Sequence, residues 1–106
     1  MIKVEYIENS SNIEYIKISG HANYNDYGKD IVCSAVSAIS IGALNALKNI
    51  ENYAITQKEG LIIIENKNKS SYDDNIVLNT MLIQLKTIEQ SYPKFIQIVR
   101  LIKRKE

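Results

Sequence analysis

The sequence predicts an α+β domain: a mostly antiparallel or mixed β-sheet packed with two helices, in the order β-β-α-β-β-α-β. Three observations lead there. Short stretches alternate apolar and polar residues, two longer stretches carry helical signals, and the turn-forming clusters between them are brief. With 106 residues the chain has room for one modest core and reads as a single domain, 1–106. It contains no internal repeat, low-complexity segment or linker.

"MIKVEYIE" (1–8) sets Ile2, Val4 and Tyr6 against Lys3 and Glu5, the pattern of a half-buried strand. "ENSSN" is turn chemistry, and "IEYIKIS" (13–19) alternates again, so the two strands form a hairpin. Gly20 ends the second strand, and "HANYNDYGK" (21–29) follows as a loop without periodicity. Asp30 suits a helix N-cap, and the first long helix is expected over 31–51. "YAITQ" and "LIIIE", separated by Lys58, Glu59 and Gly60, make a second hairpin. The run Leu61 to Ile64 is expected to be covered on both faces. After the polar "NKNKSSYDD", residues 75–92 place Ile76, Leu78, Leu82, Leu85 and Ile88 at helical spacing, and Pro93 stops that helix. The β-branched "KFIQIVRLI" (94–102) supplies the last strand.

Composition excludes several classes of function. Thirteen Lys and Arg against twelve Asp and Glu leave a net charge of +1, without the basic face that direct nucleic-acid binding needs. The cluster Lys103-Arg104-Lys105 reads as a solvated chain end. "IVCSAVSAISIGALNAL" (31–47) is short for a membrane span and broken by Ser34, Ser37, Ser40, Gly42 and Asn45. A helix this apolar belongs inside the fold or at a contact with a second copy, and its Ala, Ser and Gly residues permit close approach. A single cysteine cannot close an internal disulfide, and the opening residues hold no apolar core of signal-peptide length. A reducing compartment is therefore expected.

The only histidine, His21, and the only cysteine, Cys33, stand twelve residues apart. With Asp30 as N-cap, Cys33 falls in the first turn, where unpaired amides and the helix dipole favour a thiolate and can donate to an oxyanion. His21, at the mouth of the loop, can take the thiol proton and return it to a leaving amine. Asp30 either caps the helix or turns to orient His21. Ser37 lies one turn beyond Cys33 on the same face, free to meet the thiolate or to bond back to the helix. Tyr24, Tyr27 and Gly28 make the loop a substrate-closing segment or a solvated connection. The bland reading of the pair is a packed thiol and a solvated imidazole. No second cysteine or histidine exists to complete a metal shell, and no cofactor is expected.

"GHA" at 20–22, "GKDIVCSAVSA" at 28–38 and "SYPKFIQI" at 91–98 together resemble the ribosomal-processing cysteine proteases of the Prp, or YsxB-like, family. The resemblance spans essentially the whole chain. It implies a cytoplasmic, homodimeric endopeptidase that removes the N-terminal extension of the precursor of large-subunit ribosomal protein twenty-seven. It matches Cys33 to the nucleophile and His21 to the base, and Asp30 and Ser37 to supporting positions. Ser34 departs from the small apolar residue usual there. The competing reading is a non-catalytic, dimeric, ribosome-associated binding module.

Overall fold

A computed structural model describes residues 1–20 and 27–102, with residues 27–30 described by their backbone alone. The elements follow the expected order: β1 (Ile2–Asn9), β2 (Asn12–Ser19), α1 (Tyr27–Ala46), β3 (Tyr53–Lys58), β4 (Leu61–Asn66), α2 (Tyr72–Ser91) and β5 (Ile96–Arg100). A short 3-10 turn, Ile50–Asn52, precedes β3. The five strands form one sheet in the order β3-β4-β2-β1-β5. The β1–β2, β2–β4 and β3–β4 pairs are antiparallel, and β5 lies parallel to β1 after the α2 crossover, so the sheet is mixed.

Alternation decides which face is covered. Ile2, Val4 and Tyr6 of β1 stand beside Ile18 and Ile16 of β2, Ile64 of β4 and Ile96 of β5, and all are buried. They meet Val32, Val36 and Leu44 of α1 and Leu78, Met81, Leu82 and Leu85 of α2 in one core cluster. Ile13 joins them although it is three residues from Ile16. A bulge shifts the register at Ile7/Glu8 and returns Ile13 to the helix side. The opposite face carries Lys3, Glu5, Lys17 and Ile63, exposed or half-buried. Leu61, Ile62 and Ile63 are likewise only half-buried. The expectation that this run is covered twice is therefore corrected: among the described residues both helices lie on one side.

The β1–β2 turn is held in an uncommon conformation. Ser10 and Ser11 both have positive φ, 52° and 64°, as a tight two-residue hairpin turn requires. Helix α2 offsets the strain. Asn75 and Asn79 donate to the Ser11 carbonyl at 2.8 and 3.1 Å, and Asn75 accepts from the Ile13 amide at 3.1 Å.

Both helices differ from their expected bounds at identifiable points. α2 starts at Tyr72 rather than 75, because Ser71 caps it by accepting from the Asp74 amide at 3.2 Å. Ile76, expected on the apolar stripe, is 48% exposed, and Met81 takes an inward place. α1 ends at Ala46 rather than 51. The amides of Lys48 and Asn49, which a longer helix would use internally, donate instead to the fully buried Asp74 carboxylate at 2.8 and 2.9 Å. A salt bridge from Lys48 to Asp73 at 2.7 Å closes the same joint at the surface. No helix among the described residues is long and apolar enough to cross a membrane.

Candidate active site

Helix α1 begins at Tyr27, four residues before the expected start. Asp30 lies inside the first turn and is not the N-cap, and Tyr27 and Gly28 open the helix instead of belonging to the preceding loop. Cys33 is the seventh helical residue. Its amide points back toward the Lys29 carbonyl, and among the described residues the amides without helical partners are those of residues 27–29, one turn earlier. The expected seat of Cys33 among unpaired first-turn amides is thus corrected. The polar residues 27–30 carry no apolar periodicity to signal a helix, so Asp30 looked like its boundary.

Cys33 is half-buried and packs against the core cluster. It borders an open cleft of about 530 Å³ between the middle of α1 and the end of the sheet where β1 starts and β2 finishes. Val36, Ser37, Ser40 and Ile41 continue the helical wall at helix spacing. Ile2, Ile18 and Gly20 form the floor, and Gln57 to Ile62 form the far wall. Ser37, exposed, does share the Cys33 face of the helix. Ser40, one turn further, is fully buried, and its hydroxyl donates to the Val36 carbonyl at 2.7 Å. Among the described lining residues Lys58 and Glu59 carry opposite charges, so the lining as a whole is close to neutral, and its surface is mostly apolar.

Gly20 joins the sheet to this site. Its φ is +110°, a region L side chains avoid, and a Cβ there would collide with the Met1 carbonyl oxygen. Its amide donates to the Gly60 carbonyl at 3.1 Å, tying the end of β2 to the β3–β4 turn. His21 follows immediately. His21 and Tyr24 lie outside the described residues, so the expected His21–Cys33 pairing and the suggested closing segment have no geometry to be set against.

Sequence reasoning missed the β3–β4 turn as part of the site. Lys58, Glu59 and Gly60 carry only the signature of a hairpin connection, and nothing local shows that the turn reaches Cys33. Ser40 and Ile41 were legible in principle, since they lie seven and eight residues from Cys33 on a helix. Among the described residues no group of three His, Cys, Asp or Glu side chains converges as a metal site.

The fold and cleft define a small α+β domain that presents one thiol on the wall of an open, largely apolar groove. The family model described as "Cysteine protease Prp" matches residues 1–97. The ribosomal processing cysteine protease Prp of Staphylococcus aureus (strain Mu50) is 30% identical over 105 residues, covering 92% of this chain and 97% of the relative. Two crystal structures of the S. aureus protease are also similar. The one with a covalently linked product peptide has a TM-score of 0.82 at 29% identity, covering 95% of this chain and 100% of that one. The one with a substrate peptide has a TM-score of 0.77 at 28% identity, with the same coverage. The chain belongs to the Prp family of cysteine proteases.

Proposed function

We propose that this chain is an endopeptidase whose nucleophile is Cys33 and whose base is His21. Its substrate would be the N-terminal extension of the precursor of large-subunit ribosomal protein twenty-seven. The observation that carries the reading is the position of the chain's only thiol, half-buried on a groove wall, in a chain matched to a protease family across 97 residues. The S. aureus relative described with a covalently linked product peptide supports a covalent route.

In this mechanism His21 takes the Cys33 proton and the sulfur attacks the scissile carbonyl carbon. The C–N bond then breaks, and His21 delivers the proton to the departing amine. Water, deprotonated by His21, attacks the resulting thioester, and the sulfur leaves with the proton returned. The oxyanion needs preorganised donors. On α1, the described amides still available are those of residues 27–29. The bond from Gly20 to Gly60 supports His21 as the base, because it fixes the preceding residue at the cleft floor. Asp30 and Ser37 act as supporting residues, and Tyr24, Tyr27 and Gly28 flank the bound peptide.

The protein works as a cytoplasmic homodimer, where a lone thiol stays reduced. Its copies meet through the outer surface of the helix pair. There Ala38, Gly42 and Ala46 of α1 lie beside Ile76 and Val77 of α2, and Ile76 is exposed in the isolated chain.

Incubation with the precursor tests the assignment. The parent protein should release the extension, while Cys33→Ala and His21→Ala should bind the precursor and slow its cleavage at least about a thousand-fold. Cleavage that survives Cys33→Ala overturns the proposal. Binding without cleavage by the parent would favour the non-catalytic module.

A further inference from the structure

The two edges of the sheet are treated differently. On β5, the outward amide of Ile98 donates to the Glu89 carboxylate of α2 at 2.7 Å, so that edge is partly occupied by the chain itself. The other edge is β3. The Lys67 amide donates to the Asn52 carbonyl at 2.8 Å, which sets the phase of the β3–β4 ladder. The backbones of Asn52, Ala54, Thr56 and Lys58 face β4, and those of Tyr53, Ile55 and Gln57 face outward. The Tyr53 amide is taken by the Ile50 carbonyl. Ile55 and Gln57 therefore present two N–H and two C=O groups to an edge that no described residue pairs.

That edge leads into the cleft, because Gln57 and Lys58 are also part of the wall facing Cys33. Residues two apart on a strand are separated by about 7 Å, the repeat at which an extended peptide offers its own outward groups. The geometry points to β3 as the docking strand for the substrate. An extended peptide adds beside it, exchanges hydrogen bonds with Ile55 and Gln57, and runs from there into the groove toward Cys33. This inference rests on the protease reading and deepens it. The occupant is a peptide because relatives of this fold are described with peptides bound and because the open edge is continuous with the thiol groove. Affinity then comes largely from main-chain bonds, as suits a wall of nearly balanced charge.

Steady-state cleavage of a peptide spanning the precursor's cleavage site tests it. Gln57→Pro removes one outward N–H, at an edge position where proline is tolerated. Gln57→Ala keeps that N–H and measures the share of the side chain. KM for Gln57→Pro should exceed that for Gln57→Ala by about three- to ten-fold, the loss of one hydrogen bond, with kcat little altered. A second measurement leaves the protein untouched. Peptides with single backbone amides replaced by esters should show a raised KM at every second position along the docked segment.

Equal KM values for the two variants together with an ester profile lacking that period would overturn strand addition. A change in solution mass for Gln57→Pro with KM unaltered would overturn it too, assigning the edge to a second copy. A flat ester profile with cleavage still dependent on Cys33 defeats only this inference. Cleavage by Cys33→Ala defeats the protease reading beneath it.

Discussion

Gly20 is the residue on which the site's connection to the sheet depends. Its positive φ and its contact with the Met1 backbone leave no room for a side chain. Its amide bond to Gly60 holds the floor of the cleft against the far wall. Gly20→Ala should therefore cost about 1–3 kcal/mol of stability, read as a lower urea midpoint at unchanged slope. It should also lower cleavage beyond what the loss of folded protein explains, because it redirects the chain into His21. An unchanged midpoint would show that the backbone relaxes at no cost. In the sequence this glycine was visible as a strand terminator and as part of "GHA". Its conflict with Met1 was not visible, since that contact joins residues nineteen apart across two strands. Asp30 misled for the opposite reason. A good capping residue was present, but the helix had already begun.

At the scale of the elements, alternation and helical spacing placed five strands and two helices in the right order, because each element's own residues carry its burial pattern. The ends were less legible wherever a distant residue sets them. α1 stops where Asp74, twenty-six residues beyond Lys48, captures two amides. No feature of residues 31–51 announces that. Asp74 is fully buried and bonds to backbone donors on another element, so Asp74→Ala leaves those donors without their acceptor. The expected loss is about 2–4 kcal/mol in urea unfolding, with a smaller loss for Asp74→Asn, which keeps an acceptor oxygen. Equal stability of all three proteins would mean that water replaces the carboxylate and that the joint between α1 and α2 is held by apolar packing alone. The half-covered Leu61–Ile64 run shows the same limit. A strand apolar on both sides is equally consistent with a two-sided burial and with a sheet that has one helical layer.

For the whole molecule, the helix pair and the sheet edge mark two different surfaces, one proposed for a second copy and one for substrate. A Cβ on Gly42 would meet no atom within 4 Å, so the isolated chain has space for a side chain there. Gly42→Glu should keep the fold, gain some helix propensity, and convert a dimer of about 24 kDa, twice the 12.1 kDa chain, into a monomer by light scattering. A variant that remains a dimer would move the interface elsewhere. The family was legible in the sequence because the residues of "GHA" and "GKDIVCSAVSA" are contiguous in the chain. The groove was not, since its far wall comes from a turn more than twenty residues beyond Cys33. The central claim is that Cys33 becomes covalently bonded to the substrate, and the most direct measurement is acid-quenched intact-mass spectrometry during turnover of the precursor. The account predicts a transient adduct with the mass of the released extension as an acyl group, mapped to Cys33 and absent in Cys33→Ala. Cleavage proceeding with no adduct on Cys33, at full rate in the alanine variant, would contradict it.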